Sequence, residues 1–132
     1  MRRHGNTKPW VHKAEEDYAA ALALQRRRRR PLPDVVCFHA QQCVEKYLKA
    51  LLVYHRLYFP KTHDVLALAE LAQPVAAHLE LSRPALTDLK PYAVTFRYPD
   101  ARATVVEARV AVRRMCHLRA ILREELRLPR AA

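Results

Sequence analysis

His39, Gln42, Lys46 and Lys49 recur at i, i+3, i+7 and i+10 within the stretch CFHAQQCVEKYLKALL, which places them along one side of a helix. Gln41 and Glu45, four residues apart, take a neighbouring side. A row of this kind offers imidazole and ammonium donors to phosphate oxygens and amide edges to a base. The ordinary alternative is a solvated flank, because exposed polar stripes are common on helices. A second group is Arg97, Tyr98, Pro99 and Asp100. A guanidinium at Arg97 could grip a phosphate with two parallel hydrogen bonds, and the ring of Tyr98 could stack on a base. Alternatively, Arg97 pairs with a nearby carboxylate and Tyr98 closes the end of a bundle. The third group is the run Arg26–Arg30. Cations there complement the C-terminal end of a helix dipole, or they form a contact patch for an anion.

Other chemistries fit less well. The seven histidines are scattered, no two stand four apart on one helix, and no four-cysteine or HExxH spacing occurs, so no metal site is expected. Cys43 follows His39 by four residues, a spacing that could activate a thiolate, but Cys43 also falls on an apolar stripe and reads more simply as a buried, inert thiol. The single serine, Ser82, reads as a helix cap. No cofactor is implied.

The elements that must position these groups are helices. Pro9 to about Arg28 reads as the first, with Thr7 in its cap region and Trp10, Ala14, Tyr18, Ala21 and Leu22 on one stripe. A second runs from Pro33 or Asp34 to His55; Val36, Ala40, Cys43, Tyr47 and Leu51, widened by Val44, Leu48 and Leu52, give it an apolar face broad enough for several neighbours. Tyr58–Asp64 reads as a loop, with Thr62 capping a short helix through Leu71. Ser82 and Pro84 mark another helix start. Tyr92–Thr104 breaks the helical pattern; its alternation has no second strand to pair with, so it reads as an extended loop. The last helix runs from about residues 100–104 to Arg127, with Arg102, Arg109, Arg113, Arg119 and Arg123 expected on its wet face.

Length and composition agree with one all-α domain. The chain has 132 residues, 51% of them hydrophobic and only one a glycine, and that glycine lies near the N-terminus. The scarcity of glycine argues against hairpins, P-loops and dinucleotide-binding turns. The expected organisation is a flexible N-terminal tail at 1–8, a four- or five-helix up-and-down bundle at 9–127 and a C-terminal tail at 128–132. No apolar run is long enough to span a bilayer, no signal-peptide pattern is present, and three unpaired cysteines suit a reducing cytoplasm. The formal net charge is +11, with 24 Lys and Arg against 13 Asp and Glu. That balance fits either a polyanionic partner or a general drift of composition toward arginine.

The run H-A-Q-Q-x-x-E-K-x-L-K-A, the loop F-P-K-T-H-D and the triplet R-Y-P occur here in the order found in the HEPN family (higher eukaryotes and prokaryotes nucleotide-binding domain). The chain resembles that family from about Trp10 to Leu126. The resemblance implies a helical bundle that commonly forms homodimers through a helix face. It also implies a nucleotide or a minimal nucleotidyltransferase as partner, in a two-component system of toxin–antitoxin type. Other family members are metal-independent ribonucleases carrying Arg, four to six residues, then His in a late helix. That spacing is missing from the last helix here: His117 follows Arg113 after three residues and Arg109 after seven. Arg56 and His63 have six residues between them but straddle the FPKTHD loop, so ribonuclease activity is not the leading expectation.

The expectation carried forward is a binding module for a nucleotide or a nucleotidyltransferase partner. Its site would draw on His39, Gln42, Lys46, His63, Arg97, Tyr98 and Asp100. A purely structural dimerisation or adaptor bundle is the first alternative, and an RNA-cleaving enzyme the second.

Overall fold

The computed structural model describes residues 4–94 and 98–130. The three long helices are α1 (Lys8–Gln25), α2 (Pro33–Tyr54) and α5 (Val105–Glu125). Taking α1 as running up, α2 runs down, and α5 starts beside the first turn of α2 and runs down parallel to it. Two short ones, α3 (Val65–Leu71) and α4 (Arg83–Leu89), occupy the crossing between α2 and α5 with 3-10 turns at Ala77–Ser82 and Lys90–Ala93. No strand occurs among the described residues, and the fold is the expected helical bundle. No helix of the described residues is long and apolar enough to cross a membrane.

The centre of the bundle is α2, which packs against α1, α3, α4 and α5. Its broad apolar face is used in full: Val36, Ala40, Cys43, Val44, Tyr47, Leu48, Leu51 and Leu52 are all buried. From α5 come Ala108, Ala111, Met115, Leu118 and Leu122, spaced at three and four residues as one helix face requires. The buried positions of α1 are Ala14, Asp17 and Ala21. Two of these are alanines, whose small side chains let the backbones of α1 and α2 lie close. The carboxylate between them must find partners, because an unpaired buried charge is costly.

Helix ends follow local chemistry, with some differences from the sequence reading. Asp64, not Thr62, caps α3: Oδ1 of Asp64 accepts from the amides of Leu66 (3.0 Å) and Ala67 (3.3 Å). Thr62 lies two residues upstream, its Oγ1 accepting from the Asp64 amide at 3.1 Å. The carboxylate supplies two bonds and a negative charge at the positive end of the helix, which a hydroxyl cannot match. Thr7 and Ser82 stand at N-cap positions but make no side-chain cap bond. The strongest cap opens α5. There Thr104 and Glu107 form a reciprocal capping box, Oγ1 of Thr104 accepting at 3.0 Å and Oε1 of Glu107 at 2.9 Å. The pattern T-x-x-E was present in the sequence.

Two of the three long helices, α2 and α5, close in the same way at their C-termini. After α2, the amide of Leu57 bonds the carbonyl of Leu52 and that of Arg56 bonds Val53. After α5, Leu128 bonds Arg123 and Arg127 bonds Glu124. These are Schellman turns, and each puts an arginine in the left-handed region where glycine is usual, with φ 55° at Arg56 and 56° at Arg127. The single glycine serves another purpose. The amide of Gly5 bonds the carbonyl of Tyr54, and a Cβ on Gly5 would stand 2.2 Å from the carbonyl oxygen of Val53. His4 stacks on Tyr54 beside it, with ring centroids 3.9 Å apart.

Candidate functional site

The polar row of α2 faces inward, and α1 and the loop before α3 supply its partners. Asp17 of α1, 7% exposed, takes two of them. Nδ1 of His39 lies 2.8 Å from its Oδ1, and Nζ of Lys46 donates to its Oδ2 at 2.5 Å. The neighbouring side of the row gathers on Glu45, whose side chain is 3% exposed. Glu45 accepts from Lys49 at 3.0 Å, from Gln41 at 3.2 Å and from Gln42 at 3.4 Å, and Nδ1 of His63 lies 3.1 Å away. Gln41 also donates to the main-chain carbonyl of His63 at 2.8 Å, and Gln42 donates to Oε1 of Gln41 at 2.7 Å. Two of the sequence blocks are therefore in direct contact: Gln41 and Glu45 fasten the FPKTHD loop to α2.

A third cluster ties α1, α2 and α5 together. Glu15 accepts from Nε and Nη2 of Arg119, both at 2.7 Å, and from the hydroxyl of Tyr47, which in turn accepts from Arg123 at 2.9 Å. Burial opposes ionisation of Glu15, but the hydrogen bonds from Arg119 and Tyr47 and the charges of Arg119 and Arg123 outweigh it, so its pKa is lowered. Arg119 and Arg123 are thus not wet decorations of α5, as the sequence pattern implied. They turn inward to a carboxylate, and Arg119 also covers the ring of Tyr18 at 3.8 Å. Burial pushes the thiol of Cys43 far up, which suits an inert core cysteine rather than a thiolate activated by His39.

The sequence-selected residues therefore divide. His39 and Lys46 meet on Asp17, and Gln42 and His63 meet on Glu45. Tyr98 and Asp100 are exposed in the turn that leads into α5, and Arg97 lies outside the described residues. Among the described residues, no hydrogen bond or ion pair joins Tyr98 or Asp100 to the α2 row. The turn that carries them is anchored elsewhere: the amide of Ala103 donates to Oδ1 of Asp34, at the first turn of α2, at 2.5 Å. That contact brings the α5 entry to the end of the bundle where α1 stops and α2 starts.

The same end carries Arg26–Arg30. A groove of about 620 Å³ opens there between the α1–α2 turn and the first turns of α5. Arg26, Arg27, Arg28 and Arg109 line it, and its apolar walls include Leu32, Val36 and Val105. No carboxylate lines the groove. At the other end, a recess of about 720 Å³ also contains arginines, but Glu124 shares its wall and Arg119 and Arg123 are already engaged with Glu15. Sequence reasoning marked the arginine run but not its neighbours. It also missed Asp17, for which there was a signal: a lone carboxylate at a buried position between Ala14 and Ala21. No group of three His, Cys, Asp or Glu side chains among the described residues is placed to hold a metal ion.

A helical bundle organised on one central polar-striped helix is the class that fold and site define. The family model described as the HEPN domain matches residues 7–125, and the chain belongs to that family. No curated protein and no solved structure gives a significant match.

Proposed function

We propose that this chain is a nucleotide- or RNA-binding HEPN module that recognises phosphate groups through its exterior arginines. The observation that carries this reading is a division of charge. The cations of the α2 row already have carboxylates: Lys46 has Asp17 and Lys49 has Glu45. By contrast Arg26, Arg28, Arg29, Arg30, Arg102 and Arg109 are exposed, with no carboxylate partner among the described residues. All six belong to the end where α1 stops and α2 and α5 begin. Uncompensated guanidiniums gathered on one end raise the local concentration of a polyanion and bind its phosphates in pairs of hydrogen bonds. Exposed Tyr98, on the turn at that end, provides a face on which a base can stack.

Titration calorimetry with ATP, GTP and UTP, and fluorescence anisotropy with a labelled single-stranded RNA, test the reading. Binding that weakens steeply as salt rises is expected. Absence of binding to any nucleotide or RNA at low salt would overturn it. In the same assays Lys46→Ala is expected to leave affinity unchanged. If it abolishes binding, the ligand sits on the α2 row after all.

The closed network around Asp17 and Glu45 favours a structural role for that row, which is the adaptor reading confined to one face of the molecule. A nucleotidyltransferase partner and a second copy of the chain remain parts of the proposal that co-purification and light scattering would test.

A further inference from the structure

We infer that the groove between the α1–α2 turn and the start of α5 is a binding site for the sugar-phosphate backbone of single-stranded RNA, one that holds phosphates without reading bases. The inference rests on the phosphate-binding reading above and assigns it a place. The volume of the groove, about 620 Å³, lies within the range of roughly 300–1,000 Å³ typical of ligand sites.

Its chemistry is one-sided. Four arginines line it and no carboxylate does, so an anion entering it meets no opposing charge. Nε of Arg27 is held by the carbonyl of Arg29 at 3.2 Å, which braces the turn and leaves Arg26, Arg28 and Arg109 free for the ligand. The two carboxylates nearest in sequence to the groove are turned to other work. Asp34 accepts from the amide of Ala103, and Glu107 closes the capping box of α5. The bond between Asp34 and Ala103 also fixes the two walls of the groove relative to each other.

The apolar walls decide what kind of anion fits. A simple inorganic anion would gain nothing from Leu32, Val36 and Val105, whereas a nucleotide can lay a sugar or base edge against them while its phosphates reach the arginines. Gln25 is the one uncharged polar side chain in the lining, too little to distinguish bases by hydrogen bonding. The groove is therefore sequence-tolerant. Affinity grows with the number of phosphates and with the continuity of the strand.

The test compares the full chain with two charge-matched variants. One replaces three groove residues, Arg26→Ala, Arg28→Ala and Arg109→Ala. The other removes three exposed charges outside the groove, Arg113→Ala, Arg127→Ala and Arg130→Ala. Binding of labelled oligo-U, oligo-A, ATP and inorganic phosphate is followed against salt, with thermal melting as the check of folding. The expected result is a loss of about tenfold or more in oligonucleotide affinity for the groove variant alone. Its slope of log affinity against log salt should fall by about two, since each single-strand phosphate contact contributes about 0.7. Oligo-U and oligo-A should behave alike, and inorganic phosphate should bind far more weakly than either.

Equal losses in both triple variants would mean that net charge, not this groove, holds RNA, and would overturn the inference while leaving RNA binding intact. ATP binding as tightly as the oligonucleotides and lost with the groove would replace the strand by a free nucleotide as its occupant. A strong preference for one base would also overturn it. If the unaltered chain binds none of the probes, the functional reading itself fails, an outcome distinct from all of these.

Discussion

Two polar regions of this domain are built on opposite principles. Around Asp17 and Glu45 every cation of the α2 row has a buried or half-buried carboxylate within 3.0 Å. At the α1–α2 turn, cations are massed without any. The first arrangement fixes helices and a loop in place, because charges withdrawn from water must be paired to be tolerated. The second keeps its charges solvated and repelling one another, which stabilises nothing and leaves them available. The difference teaches that a polar stripe on a core helix is a poor guide to a ligand site until its partners are known. An unpartnered cluster at a helix end is the better guide.

The sharpest way to break this contrast is to remove a carboxylate from the interior. Glu45→Ala would strand Lys49, whose side chain is only 9% exposed, and would free the His63 loop. Breaking a buried pair from one side costs about 3–5 kcal/mol. Urea denaturation should show a drop of that order. A change near zero would mean that the network is incidental and the α2 row is available for other work. Next in size is Tyr47→Phe. It removes the hydroxyl that joins Glu15 to Arg123 but leaves the ring in the core. Loss of a buried hydrogen-bonded group typically costs about 1–3 kcal/mol, and the same denaturation series measures it.

Much of this was legible in the sequence, and what was missed has a common cause. Periodicity located all three long helices to within a few residues, because apolar spacing on α2 and α5 is set by the core alone. The family blocks were legible as motifs but not as contacts: that Gln41 and Glu45 hold the FPKTHD loop depends on where a loop folds back in space. Arg119 and Arg123 were read as wet because a helical wheel cannot show a carboxylate on another helix. Glu15, brought in by α1, is that missing information, as Asp17 is for His39 and Lys46 of the α2 row. The arginine run was visible, while the groove beside it needed Val36 and Val105, some seventy positions apart, to become neighbours. The YAVTFRYPD segment falls partly outside the described residues, and its described flanks are not the expected extended chain: Tyr92 and Ala93 belong to a 3-10 turn, and Tyr98–Ala101 forms a turn closed by the amide of Ala101 on the carbonyl of Tyr98.

Acid exposes the interior network by another route. The pKa of Glu15 is depressed from 4.5 in the folded chain, so its contribution to stability is complete above that value and is lost as pH falls through the folded one. Melting temperatures of the native chain and of Glu15→Gln should therefore converge as pH is lowered from neutrality to well below 4.5. Arg119 and Arg123 lose their anionic partner in both. A gap that stays constant with pH would assign the loss to packing rather than to charge.

The smallest expected effect gives the finest comparison. Arg30 and Arg127 sit at opposite ends of the bundle with nearly the same unfavourable backbone, φ 48° and 56°. The left-handed conformation costs a non-glycine residue about 1 kcal/mol or slightly more, partly offset because glycine loses more freedom on folding. Replacing either with glycine should therefore raise stability by a few tenths to about 1 kcal/mol in chemical denaturation. The two should differ in binding. Arg30→Gly removes a cation from the arginine turn and should lower the salt slope of RNA binding by about 0.7, whereas Arg127→Gly should leave that slope unchanged. If Arg30 is retained only as part of an arginine-rich composition, the two variants will match in both measurements. If the turn is kept cationic for a ligand, they will match in stability alone.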